Sequence, residues 1–340
     1  MKGLALEIAL KVVEGNPLSR EESEELIGEI LEGGLDEALA GAVLASMRLR
    51  GEEVEELIGG ARALLSRCVP LKGLEEAFDT CGTGGDRKGT INVSTAVALV
   101  GAAAGIKVIK HGNKAVSSRC GSAELLLSLG ARLEMSPEEL SECVSSVGFG
   151  FVFAPLYHPA LGRVSDLRRR LRFRTMFNLL GPLVNPARPI YQLVGVSEPR
   201  LVEPIAKALK ELGRRRFMVV HGGGIDEISL WDSNLVLIVE GDKEERLVLE
   251  ARDFGLRNCS LSDVQGGSPE ENARHIVSVF EGRGGPMRDL ILANASALMV
   301  LAGLAGDFVE GTAIAAEVLD SGLAMRKLSD FLSFSGRLGR

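Results

Sequence analysis

Near Pro70 the hydrophobic pattern of this 340-residue chain changes its period, and that change restricts the fold more than any other feature. Before it, everything reads as helix. Ser19 followed by Glu22 has capping-box spacing, Gly33-Gly34 closes that segment, and further helices are expected from Asp36 to Leu49 and from Glu52 to Ser66. Short helices need each other's apolar faces, so residues 1–70 are expected to form a small bundle. Ala38, Ala42 and Ala45 fall at helical spacing and allow close backbone approach, either within the bundle or across a subunit interface. After Pro70, strands and helices alternate. Strands are expected at 77–80, 106–109, 149–155, 190–196 and 216–220, with a further pair, 235–240 and 246–250, around Gly241-Asp242. Helices are expected at 94–104, 122–129, 137–147 and 201–212, from Ser268, at 287–304 and 308–319, and at the end of the chain. The fold class is therefore α/β: a small all-helical domain plus a large domain, 71–340, with a mostly parallel central sheet covered by helices. Such a sheet binds ligands beyond the C-terminal ends of its strands.

A hydrophobic content of 46% is ample for both cores, and a net charge of −7 argues against a generic nucleic-acid surface. Five cysteines without a CxxC pair fit a reducing compartment and no structural metal. Glu7, Lys11 and Glu14 interrupt any signal-like run, and no apolar stretch reaches the length of a membrane span. The expected location is the cytoplasm, with neither membrane nor nucleic acid as partner.

The chemistry concentrates where the alternation begins. Asp79-Thr80-Cys81-Gly82-Thr83-Gly84-Gly85-Asp86 reads as a short strand emptying into a glycine loop, and Asn92, Ser94 or Thr95 can satisfy exposed amides at the start of the next helix. Unpaired N–H groups and the positive end of a helix macrodipole suit a phosphate there. A bare tight turn is the alternative. Lys110, His111 and Asn113 are expected to follow the next strand, bringing a cation to the same cleft. The glycine run has neither the Gly-Lys-Ser/Thr ending of a Walker A loop nor the spacing of a dinucleotide fingerprint. Arg163, Arg168, Arg169, Arg170, Arg172 and Arg174 form a dense cluster. Alone it fits a solvated helix face; beside an anion-binding loop it suits a carboxylate or phosphate. His221 and three glycines lead to Asp226-Glu227, whose adjacent carboxylates can coordinate hard cations through oxygen, whereas no Cys/His set for zinc accompanies them.

These separated motifs resemble the signatures of the anthranilate phosphoribosyltransferases: Gly82-Thr83-Gly84-Gly85-Asp86, Asn92 with Ser94-Thr95, Lys110-His111-Gly112-Asn113, Arg174 through Asn178 to Gly181-Pro182, and Asp226-Glu227. The resemblance covers nearly the whole chain. It implies a nucleoside phosphorylase-like phosphoribosyltransferase fold and transfer of the 5-phosphoribosyl group of 5-phosphoribosyl diphosphate to the amine of anthranilate. It implies that Gly82, Thr83, Gly84, Gly85, Asp86, Thr90, Asn92, Ser94, Thr95, Lys110 and Ser122 bind the donor. Gly82, Asn113, His158, Arg168 and Asn178 are implied to bind the acceptor, and Ser94, Asp226 and Glu227 to hold magnesium, with two ions on the donor diphosphate. No acid or base is assigned; Arg168, His111 and Asn113 position the reactants. The family is typically a homodimer formed through the helical domain, which helices from about 163–182 are expected to join. Arg172 replaces a common glycine and Leu167 a common valine, which leaves Arg169 as an alternative register for Arg168. The related pyrimidine nucleoside phosphorylases share a lysine-histidine segment, so the same fold with another aromatic acceptor is the competing reading. A nucleic-acid-binding module has only the Arg168 to Arg174 cluster in its support.

Overall fold

The computed structural model describes residues 2–115 and 119–337. Four helices come first: α1 (Lys2–Val13), α2 (Arg20–Glu32), α3 (Glu37–Arg50) and α4 (Val54–Leu65). The Ser19 hydroxyl accepts from Glu22 N while the Glu22 carboxylate accepts from Ser19 N, so two otherwise orphaned amides at the start of α2 are satisfied reciprocally. Asp36 caps α3.

The alternating part then runs β1 (Phe78–Gly82), α5 (Val93–Ala103), β2 (Val108–Gly112), α6 (Ser122–Ser128), α7 (Pro137–Val147) and β3 (Phe149–Phe153). Three helices follow in succession, α8 (Ala154–Tyr157), α9 (Ala160–Leu171) and α10 (Met176–Leu180), before β4 (Tyr191–Gly195), α11 (Val202–Glu211) and β5 (Arg216–Gly222). The chain ends with β6 (Asn234–Glu240), β7 (Lys243–Leu249), α12 (Pro269–Phe280), α13 (Pro286–Leu301), α14 (Phe308–Asp320) and α15 (Leu323–Arg337). The sheet order is β3-β2-β1-β4-β5-β6-β7, with β3 through β5 parallel and the last two strands antiparallel.

Several strand boundaries differ from expectation, among them the ends of β1 and β5, which run on to Gly82 and Gly222, and two of the differences have a clear physical reason. Strand β2 does not stop at Ile109: Lys110 lies opposite Phe151 and His111 opposite Val152 of β3, so both polar residues are held inside the buried ladder. Strand β7 begins at Lys243, three residues before Arg246, because it is an edge strand whose charged Lys243-Glu244-Glu245 run faces water and hides the apolar alternation.

The sheet divides the core by its two-residue period. Met218 and Val220 of β5 pack with α5, α13 and α15, whereas Phe217 and Val219 pack on the other side in a cluster shared with the helical bundle and α11. The apolar interior of the bundle is therefore continuous with one face of the sheet, through α9 and α10. Helix α4 makes this possible with two adjacent glycines. A Cβ on Gly59 would lie 2.3 Å from Arg20 O of α2, and one on Gly60 would lie 2.7 Å from Met176 Cε of α10. Side chains at either position would hold the helices apart.

Candidate active site

Strand β1 has β2 on one side and β4 on the other, so the chain reverses its direction across the sheet here, the place where an open α/β sheet leaves a crevice. The strands that reach the crevice, β1, β2, β4 and β5, all end in glycine: Gly82, Gly112, Gly195 and Gly222. Two of these must be glycine because the acidic turn after β5 lies directly on them. A Cβ on Gly82 would lie 2.0 Å from Asp226 Oδ2, and one on Gly195 1.5 Å from Asp226 O.

One wall of the resulting cavity is made of backbone and charge. Gly82 through Asp86, Thr90, Asn92, Ser94, Lys110, Asp226 and Glu227 line it. Gly84 and Gly85 adopt φ of 67° and 79°, which turns the loop over the strand end. Gly84 N donates to Asp226 Oδ2 at 2.7 Å, and Ser94 N, in the first turn of α5, donates to Glu227 Oε1 at 3.2 Å. The two carboxylates thus accept from the very amides expected to receive an anion. Lys110 Nζ donates to Thr80 O and to Ser94 Oγ at 3.2 Å. Downstream, Asn92 N donates to Asn272 Oδ1 at 2.9 Å, and Thr90 bridges to Gln265, so α12 and the segment before it hold the far end of the loop.

Burial shapes the charges. It pushes the Asp226 carboxyl up to about 7, aided by the nearby Asp86 carboxylate, and lifts Glu227 well above the usual carboxylate range, aided by Asp226. It also lowers the Lys110 ammonium, against the pull of nearby acidic groups. Carboxyls crowded this closely suit a hard divalent cation. Among the described residues no group of three or more His, Cys, Asp and Glu gathers as a metal cage. Magnesium fits such a site, since it typically takes one or two carboxylates and completes its shell with water and substrate phosphates.

The opposite wall is made of side chains. Arg168 lines the cavity with its guanidinium 5.6 Å from the centre of the Phe177 ring, and Leu64, Leu161, Leu180 and Val184 form an apolar slot around it. Burial lowers its pKa, and among the described residues no acidic side chain lies within ion-pair distance. Arg169, the neighbouring alternative, is 81% exposed and pairs with Asp166. Asn113, Ser122 and Asn178 also reach the cavity; Asn178 Oδ1 accepts from Thr175 N at the start of α10.

His111 stands between the walls. Its Nδ1 lies 3.2 Å from Gly181 O, and a carbonyl only accepts, so Nδ1 carries the proton and Nε2 presents a lone pair. Nε2 is buried with no partner among the described residues, and burial lowers the imidazole to about 4, which keeps it neutral. Two expected site residues are off the wall. His158, 1% exposed, is turned to Val184 O at 2.9 Å and sits behind His111, with 5.2 Å between ring centres, and does not line the cavity. Thr95 is fully buried in α5 and is not among the residues lining the cavity.

Sequence reasoning missed what lies beneath this floor. Asp79 accepts from His111 N and from Gln192 Nε2, each at 3.1 Å, and Gln192 Oε1 accepts from Arg214 Nε at 3.2 Å. All three side chains are buried, and Asp79 stands opposite Gln192 in the β1–β4 pairing. The available signal was an acid and an amide inside otherwise apolar strands, which a protein interior tolerates only as hydrogen-bonded partners.

Comparison with known proteins agrees over nearly the whole chain. Residues 6–68 match the description "Glycosyl transferase family, helical bundle domain" and residues 74–325 match "Glycosyl transferase family, a/b domain". The anthranilate phosphoribosyltransferase of Pelotomaculum thermopropionicum is 45% identical over 330 residues, 96% of each chain. The crystal structure of the Thermus thermophilus anthranilate phosphoribosyltransferase superposes with a TM-score of 0.90 at 40% identity, covering 97% of this chain and 99% of that one. The Saccharomyces cerevisiae anthranilate phosphoribosyltransferase, in complex with PRPP and Mg, gives a TM-score of 0.90 at 28% identity, covering 99% of both chains. The same yeast protein has also been seen in complex with 4-fluoroanthranilate.

Proposed function

The chain belongs to the anthranilate phosphoribosyltransferase family, and from that premise we propose how its own cleft transfers the 5-phosphoribosyl group of 5-phosphoribosyl diphosphate to the amine of anthranilate. The products are N-(5-phosphoribosyl)anthranilate and diphosphate, a step of tryptophan biosynthesis. The observation that carries the assignment of residues is the opposition of two walls: a glycine loop, Lys110 and an acidic pair on one side, and on the other an arginine in an apolar slot with no acidic partner among the described residues.

As the bond from sugar carbon to diphosphate oxygen breaks, negative charge gathers on the leaving group. Gly82–Gly85, Asn92, Ser94 and Lys110 line the side of the cavity where that charge gathers. Asp226, Glu227 and Ser94 would hold magnesium, two ions with the diphosphate, which offsets its charge when bound. Arg168 engages the anthranilate carboxylate and Phe177 its ring face. The amine nitrogen forms its bond to the sugar carbon as the carbon–oxygen bond to diphosphate breaks, and the proton that becomes acidic on attack passes to water or to the departing diphosphate, so no strong base is needed beforehand. His111 orients the amine by accepting one N–H at Nε2, with Asn113 beside it.

We also read the protein as cytoplasmic and homodimeric. Among the described residues no helix is long and apolar enough to cross a membrane. Ala38 and Ala42 of α3 are exposed, and α1 carries exposed Leu4, Leu6, Leu10 and Val13, which supports an interface on the bundle. Sedimentation of L10E as a monomer would support that face, whereas an unchanged dimer would remove it.

The test of function is diphosphate release from 5-phosphoribosyl diphosphate with anthranilate and magnesium, repeated with R168A and D226A/E227A. The expected result is acceptor-specific loss in the first and donor-specific loss in the second. Phosphorolysis of a nucleoside by the wild type, with no diphosphate release, would overturn the reading.

A further inference from the structure

The turn that follows α10, Gly181 to Val184, is tied to the rest of the molecule by side chains. Four consecutive carbonyls each accept from one, and the four donors come from separate parts of the chain. Gly181 O accepts from His111 Nδ1 of β2 at 3.2 Å, and Pro182 O from Gln192 Nε2 of β4 at 2.6 Å. Leu183 O accepts from Arg214 Nη2, two residues before β5, at 3.2 Å, and Val184 O from His158 Nε2 at 2.9 Å. All four donor side chains are buried. Asn185, next in line and also buried, donates from Nδ2 to Ile109 O at 2.9 Å. A buried carbonyl needs a donor, so these side chains set where each peptide of the turn lies.

The same turn is part of the acceptor wall. Leu180, Gly181 and Val184 line the cavity, and Gly181 O fixes the tautomer that leaves His111 Nε2 a lone pair. Gln192 sits at the centre of the ties. One N–H of its amide reaches Pro182 O and the other Asp79 Oδ2 at 3.1 Å, with Cys81 Sγ 3.4 Å away, and its Oε1 accepts from Arg214 Nε at 3.2 Å. A flipped amide would set Nε2 against the guanidinium and Oε1 against two acceptors, so Arg214 and Asp79 allow one orientation. Asp79 Oδ1 in turn accepts from His111 N. A single amide therefore joins the strand that carries His111 to the turn that carries Gly181 and Val184.

We propose that Gln192 is a positioning residue for the acceptor: through Pro182 O it holds the 181–184 turn in register with His111, so that the apolar slot and the orienting imidazole meet anthranilate together. Arg214 serves the same turn one peptide further on. Gln192 is not among the residues lining the cavity, so its influence on the substrate passes through the turn. This role presumes the reading of the wall around Arg168 as the acceptor site.

Two substitutions separate positioning from support of the fold, with steady-state diphosphate release and thermal melting as readouts. In Q192E the new carboxyl and Asp79 share one proton, which keeps that contact, and an oxygen still accepts from Arg214; Pro182 O alone loses its donor. In Q192M all three contacts go. Both variants are expected to raise the KM for anthranilate about tenfold or more, the order for a lost buried hydrogen bond, with the donor KM within about twofold. Tm should fall clearly in Q192M and much less in Q192E. An unchanged anthranilate KM in Q192E would overturn the proposal. So would anthranilate and donor constants that rise together in step with the loss of Tm, which marks a residue that only stabilises the fold. If neither variant folds, R214K keeps the buried charge but cannot span the contacts of the guanidinium. An anthranilate KM raised about threefold at constant donor KM then supports the role of the turn, and an unchanged one overturns it. An anthranilate KM that R168A leaves unchanged defeats the reading of the acceptor wall itself, so the two failures are distinguishable.

Discussion

The two walls of the cleft are built on different principles. The donor wall is a contiguous backbone structure, Gly82 to Asp86 leading into α5, to which the short Asp226-Glu227 turn adds charge. The acceptor wall is assembled from single side chains of α4, α9 and α10 and the segment after them. Recognition of a polyanion needs many amides at fixed spacing, which a loop and helix start provide. Recognition of a flat aromatic acid needs an apolar slot and one guanidinium, which helix packing provides. The first wall should respond to substitution as a unit and the second residue by residue.

That contrast breaks most visibly at the acidic turn. D226A/E227A should lower kcat by about a thousandfold, with magnesium no longer restoring donor use, as measured by diphosphate release. A loss confined to anthranilate KM would erase the distinction between the walls. R168A should raise the KM for anthranilate by about tenfold to a hundredfold, the order expected for losing a charged hydrogen bond, while the donor KM holds steady. Equal weakening of both substrates would show that Arg168 serves the whole cleft.

The backbone character of the donor wall can be sharpened with G195A. The new methyl meets Asp226 O at 1.5 Å, so the expected outcome is a stability loss of about 1–3 kcal/mol by denaturant melting, with donor affinity falling and anthranilate affinity unchanged. At the border, H111A should cost less than about a hundredfold in kcat, because an orienting hydrogen bond is lost and no proton carrier. The pH profile of the wild type should show no limb near 6.5 from His111, whose imidazole titrates at about 4. A limb near 6.5 that disappears in H111A would make it a general base.

The smallest effect concerns pH and stability. Burial holds His111 at about 4 and His158 at about 3, below the ordinary 6.5, so the unfolded chain binds protons before the folded one does. Stability from these two groups is complete above about pH 6.5 and falls as pH drops toward 4 and then 3. Tm in that window should decline less in H158N than in the wild type.

Much of the donor wall was legible because its residues are near in sequence: a glycine run, a helix start and a lysine-histidine pair are visible as motifs. Less of the acceptor wall was. Arg168 and Arg169 are neighbours in sequence, and only the packing of α9 turns one over Phe177 and leaves the other beside Asp166 in water. The resemblance implied that His158 binds the acceptor, yet the chain directs it to Val184 O behind the wall. Lys110 and His111 were expected beyond the strand, but pairing with β3 carries the ladder through them.

The chain's order of residues by itself determined the helical start, the strand–helix alternation and the glycine loop, because periodicity, caps and glycine φ act over a few neighbouring residues. Tertiary structure alone decided that Asp226 fits over Gly82 and Gly195 and that Asp79 and Gln192 support His111 from below. Those relations join residues from about thirty to more than a hundred positions apart, where burial and exclusion of water set the energies and no local pattern records them.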